Sequence, residues 1–408
     1  MWTLLLADAS QIELRSIVLV LAASATAAIV SRLHSRLVVP AVVVEVLLGI
    51  LIGPQVLGIA PLNQFLVFLS DVGLAFLFFF AGLEVVEQHV PPKSLRRGTE
   101  GWVLSLLIGL GVGYALHAAG VDAEGWLLGI AVATTALGTL VPILSDARLL
   151  PTQLGTATLG TGVAGEFWPI VVISIFLTGV YGAATEVVLL IAFGGVVALA
   201  ATLTLRARQP RLLRILQETV HTTGQAAVRL SVLLLAALIL LTRAVGFDYV
   251  LGAFAAGLVV GLALDSPEGK EVQTRLEGIG FGFVIPIYFV VTGMTFDLDG
   301  LLTRTGLLLG LLFLALMFAV RGVSALLWLR ELGPRDTLSL AFFGATQLAL
   351  VVAVVTIGTG RHAISSTVGA ALIGAGMITV LAFPIVGTRL AASKETIEAE
   401  HLRPAREF

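Results

Sequence analysis

From residue 11 to residue 390 the chain is a succession of apolar runs, parted by short clusters of charged and turn-forming residues. A helix needs about 17–25 predominantly apolar residues to cross roughly 30 Å of hydrocarbon. In that medium only helices and closed barrels satisfy their own backbone polar groups. The recurrence therefore predicts an all-α polytopic membrane protein. Composition agrees: 58% of the 408 residues are hydrophobic and 12% are charged, against about 25% charged in a soluble domain. The runs leave no room for a sizeable soluble domain. A formal charge of −2 gives no reason to expect nucleic acid, and the absence of Cys excludes disulfides and cysteine nucleophiles. Asp8 and Glu13 precede the first run with no basic segment before them, so the N-terminus reads as a lead into a helix rather than a cleaved signal.

About thirteen transmembrane helices are expected, near 11–31, 38–58, 63–86, 100–119, 125–145, 152–180, 185–205, 225–246, 248–264, 278–296, 301–329, 336–359 and 363–390. With the N-terminus outside, eighteen Lys and Arg residues of the connections and tail face the cytoplasm and four, Arg15, Arg243, Arg304 and Arg361, face the other side. Positive charge stays inside, so the expected placement is the cell (inner) membrane, N-terminus outside and C-terminus cytoplasmic. The longest basic connection, Arg206–Gln225, suits either an interfacial amphipathic helix or a solvated loop.

The two halves resemble each other. "PAVVVEVLLGILIG" (Pro40–Gly53) aligns without gaps with "DYVLGAFAAGLVVG" (Asp248–Gly261), matching Gly49 to Gly257. "FLFFFAGLEV" (Phe76–Val85) aligns with "IYFVVTGMTF" (Ile287–Phe296), matching Gly82 to Gly293, and "ATTAL" aligns with "ATQLA", matching Thr134 to Thr346. The order is common to both halves. One membrane unit over 1–408 is expected, with a first repeat over 1–180, a seventh helix and basic connection over 181–224, a second repeat over 225–391 and a short cytoplasmic tail over 392–408. A displacement of seven helices inverts one copy relative to the other, the plan of secondary transporters, whose ion sites lie beside interrupted helices. The fifth span holds Thr134, Thr135, Gly138 and Pro142, and the twelfth holds Gly344, Thr346 and Gln347; both are candidates for interruption, and close helix packing is the alternative use of such residues.

A charge at a helix centre costs roughly 2.5–3.5 kcal/mol on insertion scales. "GTGVAGEFWPI" (Gly160–Ile170) nevertheless carries Glu166 in mid-span, followed by Pro169, a residue that disturbs a helix ladder. A carboxyl there is suited to exchanging a proton for a cation, or else is a structural acid. Arg321, in "LALMFAVRGVSALLWL", is the one cation equally deep. A guanidinium does not shed its proton, so it calls for a counter-charge, and Glu166 is the acid at matching depth. Glu45, Asp71, Glu84 and Asp297 lie within or at the ends of spans and are less persuasive. No histidine has ligand spacing and no hydrolase or nucleotide-binding motif occurs, so a conventional enzyme is not expected and no cofactor is.

"VVPAVVVEVLLGILIGP" (Val38–Pro54), "LFFFAGLEV" (Leu77–Val85), the Thr-rich fifth span with "SDARLLPTQLG" (Ser145–Gly155), "GAFAAGLVVG" (Gly252–Gly261) and "IPIYFVVTGMTFDL" (Ile285–Leu298) occur in the order and style of the monovalent cation:proton antiporters. The chain resembles that superfamily, in particular the branch of Kef-type potassium effluxers and bacterial sodium/proton exchangers. The resemblance implies a homodimer whose six-helix core moves like an elevator. It implies crossed, discontinuous helices at the fifth and twelfth spans, an ion-binding carboxylate at Glu166 and a basic residue of the eleventh span at Arg321. The family usually has Asp at that carboxylate, preceded by a polar residue; here the pair is Gly165–Glu166. The expected function is exchange of a monovalent cation, sodium or potassium, for protons at Glu166, with Arg321 as counter-charge and Thr134, Thr135, Thr346 and Gln347 as candidate cation ligands. One titrating carboxylate implies 1:1, electroneutral exchange. The alternatives are carriage of an organic or anionic solute on the same scaffold and a non-transporting membrane sensor.

Overall fold

The fold is that of a computed structural model, which describes residues 2–31, 40–88, 90–178, 225–264 and 267–392, together with 194, 195 and 202. The first four spans are single helices, α1 (Trp2–Val30), α2 (Ala41–Ile52), α3 (Gln64–Glu87) and α4 (Pro92–Ala118). The fifth is two short helices, α5 (Gly125–Ala131) and α6 (Leu137–Asp146), and the sixth is α7 (Gln153–Thr178). The expected seventh span, 185–205, the basic connection Arg206–Gln225 and the tail beyond Ala392 lie almost wholly outside the described residues. Next come α8 (Ala226–Val245), α9 (Tyr249–Leu264) and α10 (Pro267–Ile279), which passes through a π-helical turn, Gly280–Val284, into α11 (Ile285–Met294). A single turn, α12 (Leu298–Leu302), leads to α13 (Arg304–Ala325); α14 (Leu329–Gly344), α15 (Ala349–Gly360) and α16 (Ser366–Leu390) complete the chain. No strand occurs among the described residues, which hold seven helices long and apolar enough to cross a membrane.

Both expected interruptions are present, with extents the residue types did not predict. In the fifth span the break is 132–136, whereas Gly138 and Pro142 sit inside α6. Between the eleventh and twelfth spans α13 runs through the 3-10 turn Leu326–Trp328 into the first residues of α14, and the backbone leaves the helical region at Gly333. The bend comes at Gly333, whose φ of 72° is left-handed backbone open to a residue without Cβ, immediately before Pro334. Side-chain caps fix several starts: Asn63 accepts from Leu66 N (2.8 Å) at α3, Asp297 from Gly300 N (2.9 Å) at α12, and Thr303 from Gly306 N (3.0 Å) at α13.

The chain divides into two compact units, each drawing on both halves of the sequence. Unit one comprises Met1–His89 and Ile170–Thr295. Its helices approach to backbone contact where side chains are missing. A Cβ on Gly49 would overlap Val290 O of α11; a Cβ on Gly82 would overlap Phe254 O of α9, and one on Gly257 would overlap Phe79 O of α3. Small residues that admit such approach are a general device of membrane helices. The contacts also exchange under the alignment of the halves: α2 meets α11 at Gly49 and Gly293, and α3 meets α9 at Gly82 and Gly257, each pair the counterpart of the other.

Unit two comprises Val90–Pro169 and Phe296–Phe408. Gly109 and Gly113 of α4 lie against Gly129 and Gly125 of α5, and Gly98 of α4 against Gly160 of α7. Below them a core of Leu140, Leu144, Leu154, Leu340 and Phe343 joins α6, α7 and α14. At one end Glu331 receives Lys93 Nζ (2.8 Å) and Arg97 Nη1 (2.6 Å), and the Arg97 guanidinium lies 5.4 Å from the centre of the Trp328 ring. Lys93 first, then Arg97, hold the Glu331 carboxyl below the usual carboxylate range.

Two outcomes follow from this packing. Gly257→Leu should abolish monodisperse protein on extraction, whereas Gly278→Leu, whose Cβ meets nothing within 4 Å, should leave elution and thermal melting unchanged. Because the folded state favours ionised Glu331, its contribution is present above the usual Glu pKa of about 4.3 and fades as pH falls through the lowered value. Glu331→Gln should therefore lower stability near neutral pH, by under about 1 kcal/mol for a partly exposed bridge, and the difference from wild type should vanish in acid melts.

Candidate functional site

Inside hydrocarbon, a five-residue break in a helix leaves backbone N–H and C=O groups that water cannot reach. In unit two the two breaks, 132–136 and 345–348, satisfy each other. Ala136 N donates to Thr346 O (2.8 Å) and the Thr135 hydroxyl donates to Gly344 O (2.7 Å). The Thr134 hydroxyl donates to Ala131 O (3.0 Å), the last carbonyl of α5, and the Thr346 hydroxyl to Phe342 O (3.0 Å). The Gln347 carboxamide reaches the other break: oriented with its nitrogen toward oxygen, it donates to Ala131 O at 2.8 Å and to the Thr134 hydroxyl. Gln347 N in turn donates to the Thr379 hydroxyl of α16 (3.1 Å). All four candidate cation ligands thus meet at the crossing, where their side chains pin unwound backbone. Each of Thr134, Thr135, Thr346 and Gln347 is at most 1% exposed.

The carbonyl that holds the first break comes from α7, and Pro169 makes it available. In an α-helix Gly165 O would accept from the N–H of residue 169. Proline has none, and Gly165 O instead accepts Thr135 N at 3.0 Å. The helix continues through Pro169 to Thr178, so the proline redirects one hydrogen bond without ending the element.

Arg321, 1% exposed, enters from α13. Its Nε donates to Gly344 O (3.1 Å), Nη1 to the Ser105 hydroxyl (3.2 Å) and Nη2 to Thr161 O (3.3 Å). The guanidinium's hydrogen bonds therefore run to three neutral oxygens. One of them, Gly344 O, closes the C-terminus of α14, the negative end of a helix dipole. The same guanidinium lies beside the residue before Glu166: a Cβ built on Gly165 would come within 3.1 Å of Arg321 Nη2 and 2.6 Å of the Thr135 hydroxyl. Glu166 itself is 8% exposed on α7.

Among the other acids, Asp297 caps α12 and receives the Ser366 and Thr367 hydroxyls (3.0 and 2.9 Å), a structural use. Glu45, Asp71 and Glu84 belong to unit one, so the crossing in unit two is built without them. The Ser105 hydroxyl and the Thr161 carbonyl hold Arg321 and the Thr379 hydroxyl holds the Gln347 backbone, yet a lone hydroxyl or a backbone carbonyl in an apolar helix carries no mark of such a use in the sequence. Pro169 and Gly165 did carry one, an irregularity on both sides of a buried acid. No group of three or more His, Asp or Glu suited to a metal occurs among the described residues.

The packing at Gly165 is open to test. Gly165→Ala places a methyl into the Thr135 side chain, so the extended stretch should loosen, with faster amide exchange at Thr135 and Ala136 by mass spectrometry. Pro169→Ala restores an N–H that competes for Gly165 O, and should accelerate exchange at Thr135 while leaving α7 helical.

Comparison with known proteins gives the family and the fold. The family described as "Sodium/hydrogen exchanger, transmembrane" matches residues 20–392. The Bacillus subtilis protein YjbQ is 28% identical over 381 residues, which span 89% of this chain and 61% of that one. The Na(+)/H(+)-K(+) antiporter GerN of Bacillus cereus is 26% identical over 337 residues, 80% of this chain and 83% of its own length. Among solved structures, the sodium proton antiporter MjNhaP1 of Methanocaldococcus jannaschii superposes with a TM-score of 0.66 at 20% identity, covering 96% of this chain and 99% of that one, which establishes the fold. With nearly the whole of its membrane segment matched, the chain belongs to the transmembrane sodium/hydrogen exchanger family.

Proposed function

We propose that this multi-pass membrane protein is a secondary antiporter that exchanges a monovalent cation, sodium or potassium, for protons, with Glu166 as the group that binds either. The observation that carries the reading is the position of Glu166: a buried carboxylate on α7, one residue from Gly165, where Thr135 of one break and the Arg321 guanidinium converge. A carboxylate serves a bare cation and a proton alternately, which is the chemistry of exchange. Sodium and protons are the pair named for MjNhaP1, and GerN adds potassium.

Arg321 is the counter-charge. Its guanidinium cannot be neutralised at working pH, and from its place beside Gly165, the residue before Glu166, it keeps the site balanced when no cation is bound. Thr134, Thr135, Thr346 and Gln347 shape the approach to the carboxylate. Gly165 leaves no space for a side chain between Thr135 and Arg321; a site so filled suits an ion better than an organic solute. With one titrating carboxylate the exchange is 1:1 and electroneutral. The six spans of unit two, three from each half of the chain, form the carrying body of an elevator cycle, and the correspondence of Gly49, Gly82, Gly257 and Gly293 supports two inverted repeats. The protein works as a homodimer in the cell (inner) membrane with its C-terminus in the cytoplasm, as the distribution of Lys and Arg favours.

The test is flux in proteoliposomes under sodium, potassium and lithium gradients. Wild type should move protons against cations with no response to an imposed membrane potential. Glu166→Gln should abolish that exchange at unchanged melting temperature; transport retained by this variant would remove Glu166 from the mechanism, and a potential-dependent rate would reject the 1:1 stoichiometry.

A further inference from the structure

At one end of unit two the start of α4, the start of α7 and the join of α13 and α14 enclose a polar cleft of about 430 Å³. The exchange mechanism does not use it: Thr156 on its wall lies ten residues, about 15 Å along the helix, before Glu166. Both long helices present their N-termini here. In α7 the first backbone bond runs from Thr156 N to Thr152 O (3.0 Å), and the Thr152 hydroxyl caps Gly155 N (3.0 Å). The N–H groups of Gln153 and Leu154 therefore have no acceptor inside the helix. In α4, Ser94 N and Leu95 N both turn back to Pro91 O (2.9 and 3.0 Å), and the N–H of Lys93 precedes them. Free N–H groups at the positive ends of helix dipoles favour an anion.

A second observation, independent of the backbone, points to a ligand. Ser94 is 7% exposed and lines the cleft, and its hydroxyl has no hydrogen-bond partner among the described residues. On the facing helix the hydroxyls of Thr152, Thr156 and Thr158 each bond a carbonyl of the preceding turn (2.6, 3.0 and 2.8 Å). A buried hydroxyl left unpaired is destabilising, and an oxyanion in the cleft supplies its acceptor. The charges agree. Two cations, Lys93 and Arg97, face one acid, Glu331 (2.8 and 2.6 Å), while Arg96 pairs with Glu100 (3.3 Å). Arg97 also lies against the Trp328 ring that walls the cleft. The Lys93 ammonium has three donors, of which Glu331 takes one. Its side chain is 76% exposed, and exposed Gln153 stands at the same mouth, so the cleft opens through polar groups.

We propose that this cleft binds a phosphate group from the aqueous side, inorganic phosphate or a soluble phosphate monoester, held by the N–H groups at the start of α7, the Ser94 hydroxyl and the Lys93 ammonium. The test melts the full chain in phosphatidylcholine nanodiscs with rising inorganic phosphate. Phosphate is added as its tetramethylammonium salt and replaces chloride at constant ionic strength, so that no sodium or potassium varies. The melting temperature should rise and saturate as the site fills. Lys93→Gln should weaken the apparent affinity about tenfold, the factor for one charge-assisted hydrogen bond, and Ser94→Ala should weaken it less. Glu331→Gln should strengthen it, because the acid that competes for Lys93 is gone. Gln153→Glu sets a carboxylate at the positive end of α7; it should raise the melting temperature without phosphate and abolish the response to phosphate. Glu166→Gln should respond as wild type, which separates this site from the exchange reading. No difference between phosphate and chloride, a response retained in Gln153→Glu, or equal effects of Lys93→Gln and Glu331→Gln would overturn the site. Stabilisation by phosphatidic acid in the disc but not by dissolved phosphate would overturn the soluble source.

Discussion

A backbone N–H or C=O in hydrocarbon must find a partner within the protein, and the centre of this molecule is organised by that obligation. Breaking one membrane helix strands several such groups. Here two helices break, at 132–136 and 345–348, and much of the debt of each is met by the other: Ala136 N by Thr346 O, and Gly344 O by the Thr135 hydroxyl. What remains is met by elements that are otherwise regular. α7 lends Gly165 O because Pro169 leaves it free, and α13 lends Arg321 to the end of α14. Neither break is a self-sufficient local structure; each requires the presence of the other and of α7.

This interdependence explains what could and could not be read from the residues alone. The order of the described spans follows from apolar run length, a local property, and the breaks are marked by Thr, Gly and Gln at corresponding places in two halves. Their extents were not, because Gly138 and Pro142 are compatible with a helix once the neighbouring backbone is held elsewhere. Pro142 stands within α6 at its sixth residue, where the one hydrogen bond it forfeits is to Gly138. The grouping into units was equally hidden. Each unit takes helices from both ends of the chain, and contacts of that range leave no periodic trace.

The structure adds to the reading of Arg321 the scaffold oxygens that hold it. A buried guanidinium was expected to answer to a carboxylate, since a full negative charge is the partner that charge counting supplies. Helix ends supply another. Gly344 O terminates α14 with unsatisfied carbonyl character, and a cation there is stabilised by the dipole as well as by the hydrogen bond. With Thr161 O and the Ser105 hydroxyl, Arg321 has donors placed on three helices. Its position is therefore set by scaffold oxygens that do not titrate. A guanidinium held by oxygens that do not titrate keeps its place across the pH range in which the protein is folded.

The same geometry divides labour among the polar residues. Thr134, Thr135, Thr346 and Gln347 have the composition of a cation cage, yet their side chains are committed to the crossing. A ligand that must also hold unwound backbone cannot turn toward an ion without loosening the break it pins. α7, by contrast, keeps its helix through Glu166 and Pro169. The elements that meet at the crossing, α4, α5, α6, α7, α13, α14, α15 and α16, contribute residues from within unit two. Hydrogen bonds that link them across the breaks would be disrupted by any relative sliding inside that unit. The rigidity of the surroundings of Glu166 therefore has its origin in the unwound backbone of the two breaks.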